Sequence, residues 1–294
     1  MSKDALWPSA ASWLKPATEG AFDLGLFGVL ACETSISATG ANTTPAEIRV
    51  ALARYSTYSW GQEKDLRDLS FADFGDSETP DSPDGEDQTM HLANKVSKSS
   101  KLSIALGGDN SITYAVMRGV FGEELGEAGL ITFDAHHDLR DGVSNGSPVR
   151  RLIEAGLPGA SVVQIGINDF SNSPQYAARA REYGVHVIPR ASLRNRSADS
   201  VMDEALSKLG NRKLHVDIDM DVCDRAFVPA CPAAAPGGIS ADELRQLGFL
   251  VGKTPQVVSV DITEIDALAD SADGRTVRLG ALVVLELANG LAAR

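Results

Sequence analysis

Cysteine is scarce in this chain: three residues, Cys32, Cys223 and Cys231, among 294. An odd count with no repeated spacing excludes a secreted disulfide scaffold. Long apolar runs are also missing. No stretch reaches the roughly 18 residues that cross a bilayer, and the opening MSKDALWPSAASW lacks the uninterrupted apolar segment of a signal peptide. A cytoplasmic location with no membrane partner is the expectation. Positive charge is in deficit, with 27 Lys and Arg against 40 Asp and Glu and a formal net charge of −13. Duplex nucleic-acid binding relies on a basic footprint, so no nucleic-acid partner is expected. Several common enzyme motifs are absent as well. There is no G-x-S-x-G elbow, no G-x-G-x-x-G fingerprint and no P-loop.

What is present is an alternation of strand and helix signals. Short runs rich in Val, Ile and Leu at 23–31, 102–106, 129–133, 161–167, 185–188, 214–219 and 257–262 read as buried strands. Helical patterns lie at 44–54, 177–183, 198–209, 241–252 and 276–292. Thr44 reads as a cap ahead of Pro45, and Ser240 as an N-cap with acids in the turn that follows. The alternation predicts an α/β fold with a mostly parallel sheet covered on both faces. A single domain spans 1–294, with an extension at 1–22, and the acidic, turn-rich 75–90 reads as a flexible loop or flap. In such sheets the chemistry gathers at the carboxyl ends of the strands.

Three acid-bearing segments fall where predicted strands end. In Asp134-Ala135-His136-His137-Asp138 the first, third and fifth residues share a side if the segment is extended. Two carboxylates and an imidazole then converge, a mixed oxygen and nitrogen set suited to a divalent metal. Asp217, Asp219 and Asp221 repeat the pattern. Like charges on one strand face repel, and a cation relieves them. One such segment fits a solvent-facing strand as well, but two at strand ends, one with histidine between aspartates, favour a cation site. Asp261 and Glu264 end a third strand, as metal ligands or as receivers of a cationic substrate group. His137 alternates away from His136 and reads as a rim or supporting residue. His215 is open between core packing and support of Asp219.

These residues, in this order, resemble the motifs of the ureohydrolases, the arginase and agmatinase superfamily. Gly107-Gly108-Asp109-Asn110-Ser111 is similar to G-G-D-H-S, Asp134 to Asp138 to D-A-H-x-D, Asp219 to Asp224 to D-x-D-x-x-D, and Asp261 to Glu264 to D-x-x-E. FVPACPAAAPGG resembles the family's proline-spaced loop, and GANTTPAEIR its early glycine segment. The resemblance implies a three-layer α/β/α fold, a trimer or hexamer, and two manganese ions per subunit bridged by hydroxide. One ion would take Asn110, Asp134, Asp138 and Asp219. The other would take Asp134, His136, Asp219 and Asp221. Asp138 would also hold the attacking hydroxide, and Glu264 would pair with the substrate amidinium.

Two departures refine this. Asn110 stands where the family has a histidine ligand; a carboxamide is a weaker donor, which implies a weak first metal site. Asn145 stands where arginases have a proton-shuttling histidine, which disfavours arginase. Asp138-Leu139-Arg140 followed by Ser144-Asn145-Gly146-Ser147-Pro148, and Arg225 after Asp224, resemble the formimidoylglutamase branch. That branch implies hydrolysis of N-formimidoyl-L-glutamate to L-glutamate and formamide in histidine breakdown. Arg140, Ser144, Asn145 and Glu264 are then the expected substrate contacts, with Arg150 and Arg151 adding positive charge near the mouth unless they lie on the outer face of a helix; a structural ion pair of Arg140 with Asp138 or Asp141 is the other reading of that residue. Agmatinase or another guanidino hydrolase, and a catalytically weakened homologue acting as a binding subunit, remain alternatives.

Overall fold

The structure is a computed structural model that describes residue 4 and residues 6–294. Eleven strands appear in chain order: β1 (Lys15–Pro16), β2 (Phe22–Val29), β3 (Tyr58–Ser59), β4 (Lys64–Asp65), β5 (Phe71–Ser77), β6 (Ser100–Gly107), β7 (Gly129–Phe133), β8 (Val162–Ile165), β9 (His186–Ile188), β10 (Leu214–Asp219) and β11 (Val257–Thr263). Nine form one sheet in the order β1-β5-β2-β6-β11-β10-β7-β8-β9, and every ladder in it is parallel. The remaining two, β3 and β4, make a separate antiparallel hairpin.

Parallel strands need crossovers, and the crossover helices cover both faces. One face packs on the helices Ala198–Leu209, Ala241–Lys253 and Arg275–Leu291, whose Val201, Leu244, Val251, Val283 and Leu287 join Ile104, Leu106, Ile131, Phe133, Val216, Ile218, Val260 and Ile262 in the main core. The other face is covered by Gly85–Ser99, Ile112–Phe121 and Pro148–Glu154 through smaller apolar clusters around Met117, Leu130, Val149 and Leu152 and around Phe27, Val96 and Val116.

Ser240 caps its helix as read from sequence. Its hydroxyl accepts from Glu243 N at 3.1 Å, and Glu243 reaches back to Ser240 N at 2.7 Å, a capping box. Thr44 does not cap. It lies inside the helix Thr44–Ala51 and donates its hydroxyl to Ile265 O, tying that helix to the chain just beyond Glu264. The loop read at 75–90 is shorter than expected: β5 runs to Ser77 and a helix starts at Gly85. Glu86 and Asp87 suit the positive end of that helix, and Thr89, Ala93 and Val96 give it a buried stripe.

Candidate functional site

β6, β11, β10 and β7 are neighbours at the centre of the sheet, so the loops leaving their carboxyl ends meet. The loop after β6 is held close to β2. Gly108 N donates to Val29 O, and Asp109 N to Ala31 O. A Cβ on Gly108 would stand 2.3 Å from Ala31 O, so only glycine allows this approach. Glu264 N donates to Gly108 O, which stitches the end of β11 to that loop. Asp134 follows β7 directly, and Asp219 ends β10.

Asp138 and Glu264 have φ of +52° and +65°. Left-handed backbone is unfavourable for residues with a Cβ, costs of order 1–3 kcal/mol, and clusters at functional positions. Both carboxyl groups are aimed inward by that conformation, and both residues are buried.

The acids converge. Asp134, His136 and Asp221 each offer a ligand atom within 4.8 Å of the others. His136 Nδ1 is 2.7 Å from Asp221 Oδ2 and 3.5 Å from Asp134 Oδ1. Asp221 Oδ1 accepts from Ala135 N at 2.9 Å, and Asp219 Oδ1 accepts from Asp221 N at 2.8 Å. Asp134 Oδ2 is buried without a hydrogen-bond partner. Asn110 donates its Nδ2 to Asp138 Oδ2, while its Oδ1 accepts from Thr113 Oγ1 at 2.9 Å and Thr263 Oγ1 at 3.0 Å.

The electrostatics follow from burial. Desolvation, with Asp221 nearby, pushes Asp134 up to about 6. Burial and Asp134 push Asp138 well above the ordinary carboxyl range, and burial and Asp221 do the same to Asp219. Burial raises Glu264 to about 7 against the pull of the Asn145 and Asn110 donors. Burial opposes charge on His136, yet Asp221 and Asp134 push it up to about 12. One imidazole stands against two carboxyl groups, Asp134 and Asp221, with Asp138, Asp219 and Glu264 around them, and an acceptor atom of Asp134 is orphaned. Hard oxygen donors with one imidazole fit a divalent cation such as manganese.

A cavity of about 370 Å³ opens above the acids. His136, Asp138, Asp219, Asp221 and Glu264 line its floor, with Arg140, Asn145 and Gly146 on its wall. Asn145 Nδ2 donates to Glu264 Oε1 at 2.9 Å. The guanidinium of Arg140 lies over Tyr176, 6.0 Å from the ring centroid, and among the described residues no carboxylate pairs with it. Arg150 and Arg151 are occupied elsewhere, on Glu154 and Glu86, and neither lines this cavity. Asn110 and Asp134 lie beneath its floor. Ser144 does not line it; its N and O are both bonded to Ser147 Oγ. A larger groove of about 670 Å³ runs between the β3–β4 hairpin and the helices Ala241–Lys253 and Arg275–Leu291, away from the acids, and volume alone does not make it the centre of chemistry.

Sequence reasoning missed the far wall, Ser171, Ser173 and Tyr176. Its signal was the polar, turn-rich NDFSNSP after β8. It also missed the supports: Asn172 Oδ1 accepts from His137 N at 2.9 Å, and Gln164 Oε1 is 2.7 Å from His137 Nδ1. His137 is thus buried beside the centre and turned away from it.

A parallel α/β sheet with a buried acid and imidazole cluster at the carboxyl ends of its central strands defines a metal-binding protein of the enzyme type. The family is specific: the model described as Arginase family matches residues 22–289, and the chain belongs to that family. It is 37% identical over 288 residues to the formimidoylglutamase of Halalkalibacterium halodurans, covering 90% of this chain and 86% of that one. The structure of Bacillus subtilis formimidoylglutamase superposes with a TM-score of 0.92 at 29% identity, covering 99% of this chain and 94% of that one. Trypanosoma cruzi formiminoglutamase, solved with manganese, matches in fold with a TM-score of 0.86 at 24% identity, covering 93% of this chain and 94% of that one.

Proposed function

We propose that this chain is a manganese-dependent formimidoylglutamase, hydrolysing N-formimidoyl-L-glutamate to L-glutamate and formamide in histidine breakdown. The observation that carries the reading is the charge layout of the cavity: acids along the floor, and on the wall one guanidinium, Arg140, without a carboxylate partner. An amidinium needs the first and a carboxylate tail needs the second. The free ammonium of agmatine would meet Arg140 as a like charge. Formimidoylglutamases similar to this chain in sequence and in structure support the same choice.

Asp134, His136, Asp138, Asp219 and Asp221 would hold two manganese ions; Asn110, whose Oδ1 accepts from Thr113 and Thr263, would join them as a weak ligand only with its amide turned. When bound, such ions lower the pKa of a water and orient it for attack. The protein groups do the rest. Glu264 receives the amidinium nitrogens, and Asn145 keeps Glu264 Oε1 aimed. Asp138 accepts the proton that the attacking water loses and returns it to the departing amine nitrogen. Arg140 pairs with the tail carboxylate and holds the amidino carbon over the floor. A soluble cytoplasmic homo-oligomer, trimer or hexamer, completes the reading; among the described residues no helix is long and apolar enough to cross a membrane.

The test is a substrate panel with manganese: N-formimidoyl-L-glutamate, arginine, agmatine, guanidinobutyrate and guanidinopropionate, with formamide and urea assayed side by side. Formamide from the first, at the highest kcat/KM of the set, is the expected result. Urea from agmatine with no formamide would overturn the substrate and leave the metal chemistry standing.

A further inference from the structure

The two charges that would meet the ends of the substrate both touch one dipeptide, Asn145-Gly146, with Asn110 N donating to Glu264 Oε1 as well, at 2.8 Å. Asn145 fixes Glu264 by donating Nδ2 to Oε1 at 2.9 Å, and is itself held by Ile36 N donating to its Oδ1 at 3.1 Å. Gly146 fixes Arg140 in another way. Arg140 N donates to Gly146 O at 3.0 Å, and the arginine stem lies directly on the glycine. A Cβ at position 146 would stand 2.7 Å from Arg140 Cδ and 3.1 Å from Nε. No real Cβ makes the first contact, so the stem must move.

The backbone does not demand glycine here. Gly146 is not among the glycines with positive φ, and L residues accept its conformation. What requires glycine is the close approach of the Arg140 stem. The neighbours that could hold Arg140 by charge do not. Glu154 pairs with Arg150, Glu86 with Arg151 and Asp141 with Arg179. The arginine is therefore placed by the packing of its Cδ and Nε on Gly146, with its guanidinium 6.0 Å from the ring centroid of Tyr176.

We propose that Gly146 is a specificity-determining position that acts through Arg140: the missing side chain lets the arginine lie flat along the wall and sets the span between its guanidinium and Glu264. This rests on the reading of Arg140 as the partner of the tail carboxylate. A methyl group at 146 swings the guanidinium out, and the pocket loses its grip on a carboxylate tail while the floor is left in place.

The test is a double-mutant cycle in manganese-loaded enzyme with N-formimidoyl-L-glutamate: Gly146→Ala, Arg140→Ala and the pair, with thermal unfolding as the folding control. Gly146→Ala is expected to raise KM by about tenfold, a 1.4 kcal/mol loss of binding, with a smaller fall in kcat, as for an interaction that binds ground state and transition state alike. In the Arg140→Ala background the same glycine change should add almost nothing. A KM for Gly146→Ala equal to wild type while Arg140→Ala raises it overturns the inference, as does full additivity. No effect of Arg140→Ala itself overturns the tail assignment beneath it. A crystal structure of Gly146→Ala decides the geometry without any substrate: a guanidinium in its original place sinks the proposal, and a displaced one supports it.

Discussion

On one face of the four central strands stand Ile104 and Leu106 of β6, Val260 and Ile262 of β11, Val216 and Ile218 of β10, and Ile131 and Phe133 of β7, all buried in the main core. On the opposite face of the same strands stand Ser103, Ser259, Asp261, His215, Asp217 and Thr132, equally buried. Register places Asp261, Asp217 and Thr132 in one row across β11, β10 and β7, directly below the row of Thr263 and Asp219. His215 Nε2 is 3.1 Å from Asp261 Oδ2. Asp217 has no partner for either oxygen, and Thr132, Ser259 and Asp261 each leave one oxygen unpaired. Each large apolar side chain on the first face contributes roughly 1.5–3 kcal/mol by leaving water, whereas each unpaired polar group on the second costs about 1–3 kcal/mol. One face stabilises the sheet, and the other spends part of that stability to keep acids together.

A paired substitution on adjacent residues of β10 is the sharpest way to break this comparison. Asp219→Ala should abolish formamide release and lower bound manganese, with the fold retained. The ions that Asp219 would help to hold would supply an activated water, so the expected loss spans several orders of magnitude. Ile218→Ala, one residue away and pointing to the other face, should cost about 2–5 kcal/mol of stability and leave kcat per folded molecule nearly unchanged. Denaturant unfolding, metal analysis and turnover on the two variants decide the matter. Loss of turnover in Ile218→Ala to the level of Asp219→Ala would mean that the faces are not separable.

A smaller effect is expected deeper in the polar face. Asp217→Asn replaces a buried carboxyl without partners by a group that can donate to the unpaired Asp261 Oδ1. Chelator-treated protein should gain about 1–3 kcal/mol from that change. A measured loss of stability would assign the Asp217 carboxyl a role that an amide cannot fill.

The shallowest change is with pH. Asp134, at about 6, and Glu264, at about 7, lie above their ordinary 3.8 and 4.5. Between those limits the folded protein holds more protons than the unfolded chain, so stability falls as pH rises. His136, raised from 6.5 to about 12, acts in the same direction above neutrality. Chelator-treated protein should therefore melt lower at pH 8 than at pH 5.5. Manganese requires deprotonated ligands, so its stabilising increment should grow over the same interval. Calorimetric scans with and without manganese check both slopes, and a metal increment that shrinks with pH would contradict the ligand set.

Much of the apolar face was legible in the sequence. The strands at 129–133 and 214–219 and the helix at 198–209 coincide with the observed elements, because continuous runs of branched apolar residues leave few alternatives to a buried strand. The convergent acids at the strand ends were legible for a different reason: charged residues every second position in such a run are too costly without a purpose. Helix Ile112–Phe121 escaped because it is short and apolar on most sides, with seven of its ten residues buried. Helix Pro148–Glu154 escaped because seven residues carry too little pattern. The outer face of a helix is nonetheless the other reading of Arg150 and Arg151, and the helix turns them to Glu154 and Glu86. The wall at Ser171 to Tyr176 was invisible because its contacts with Arg140 are set by topology and not by any local pattern.

The strand order carries a consequence for synthesis. β11 lies between β6 and β10, yet of the nine described strands in the sheet it comes last in sequence, at Val257–Thr263. A nascent chain ending before it contains two half-sheets, β1-β5-β2-β6 and β10-β7-β8-β9, and no strand to join them. Asp134, His136, Asp138, Asp219 and Asp221 all belong to the second half, so an ion captured early would meet them without Asn110 and without Glu264. The open edges of β6 and β10 are templates for pairing with other chains. A stop codon just before residue 257 should therefore yield aggregate, not a weakened enzyme, and the centre assembles only once residues 257–264 have been made.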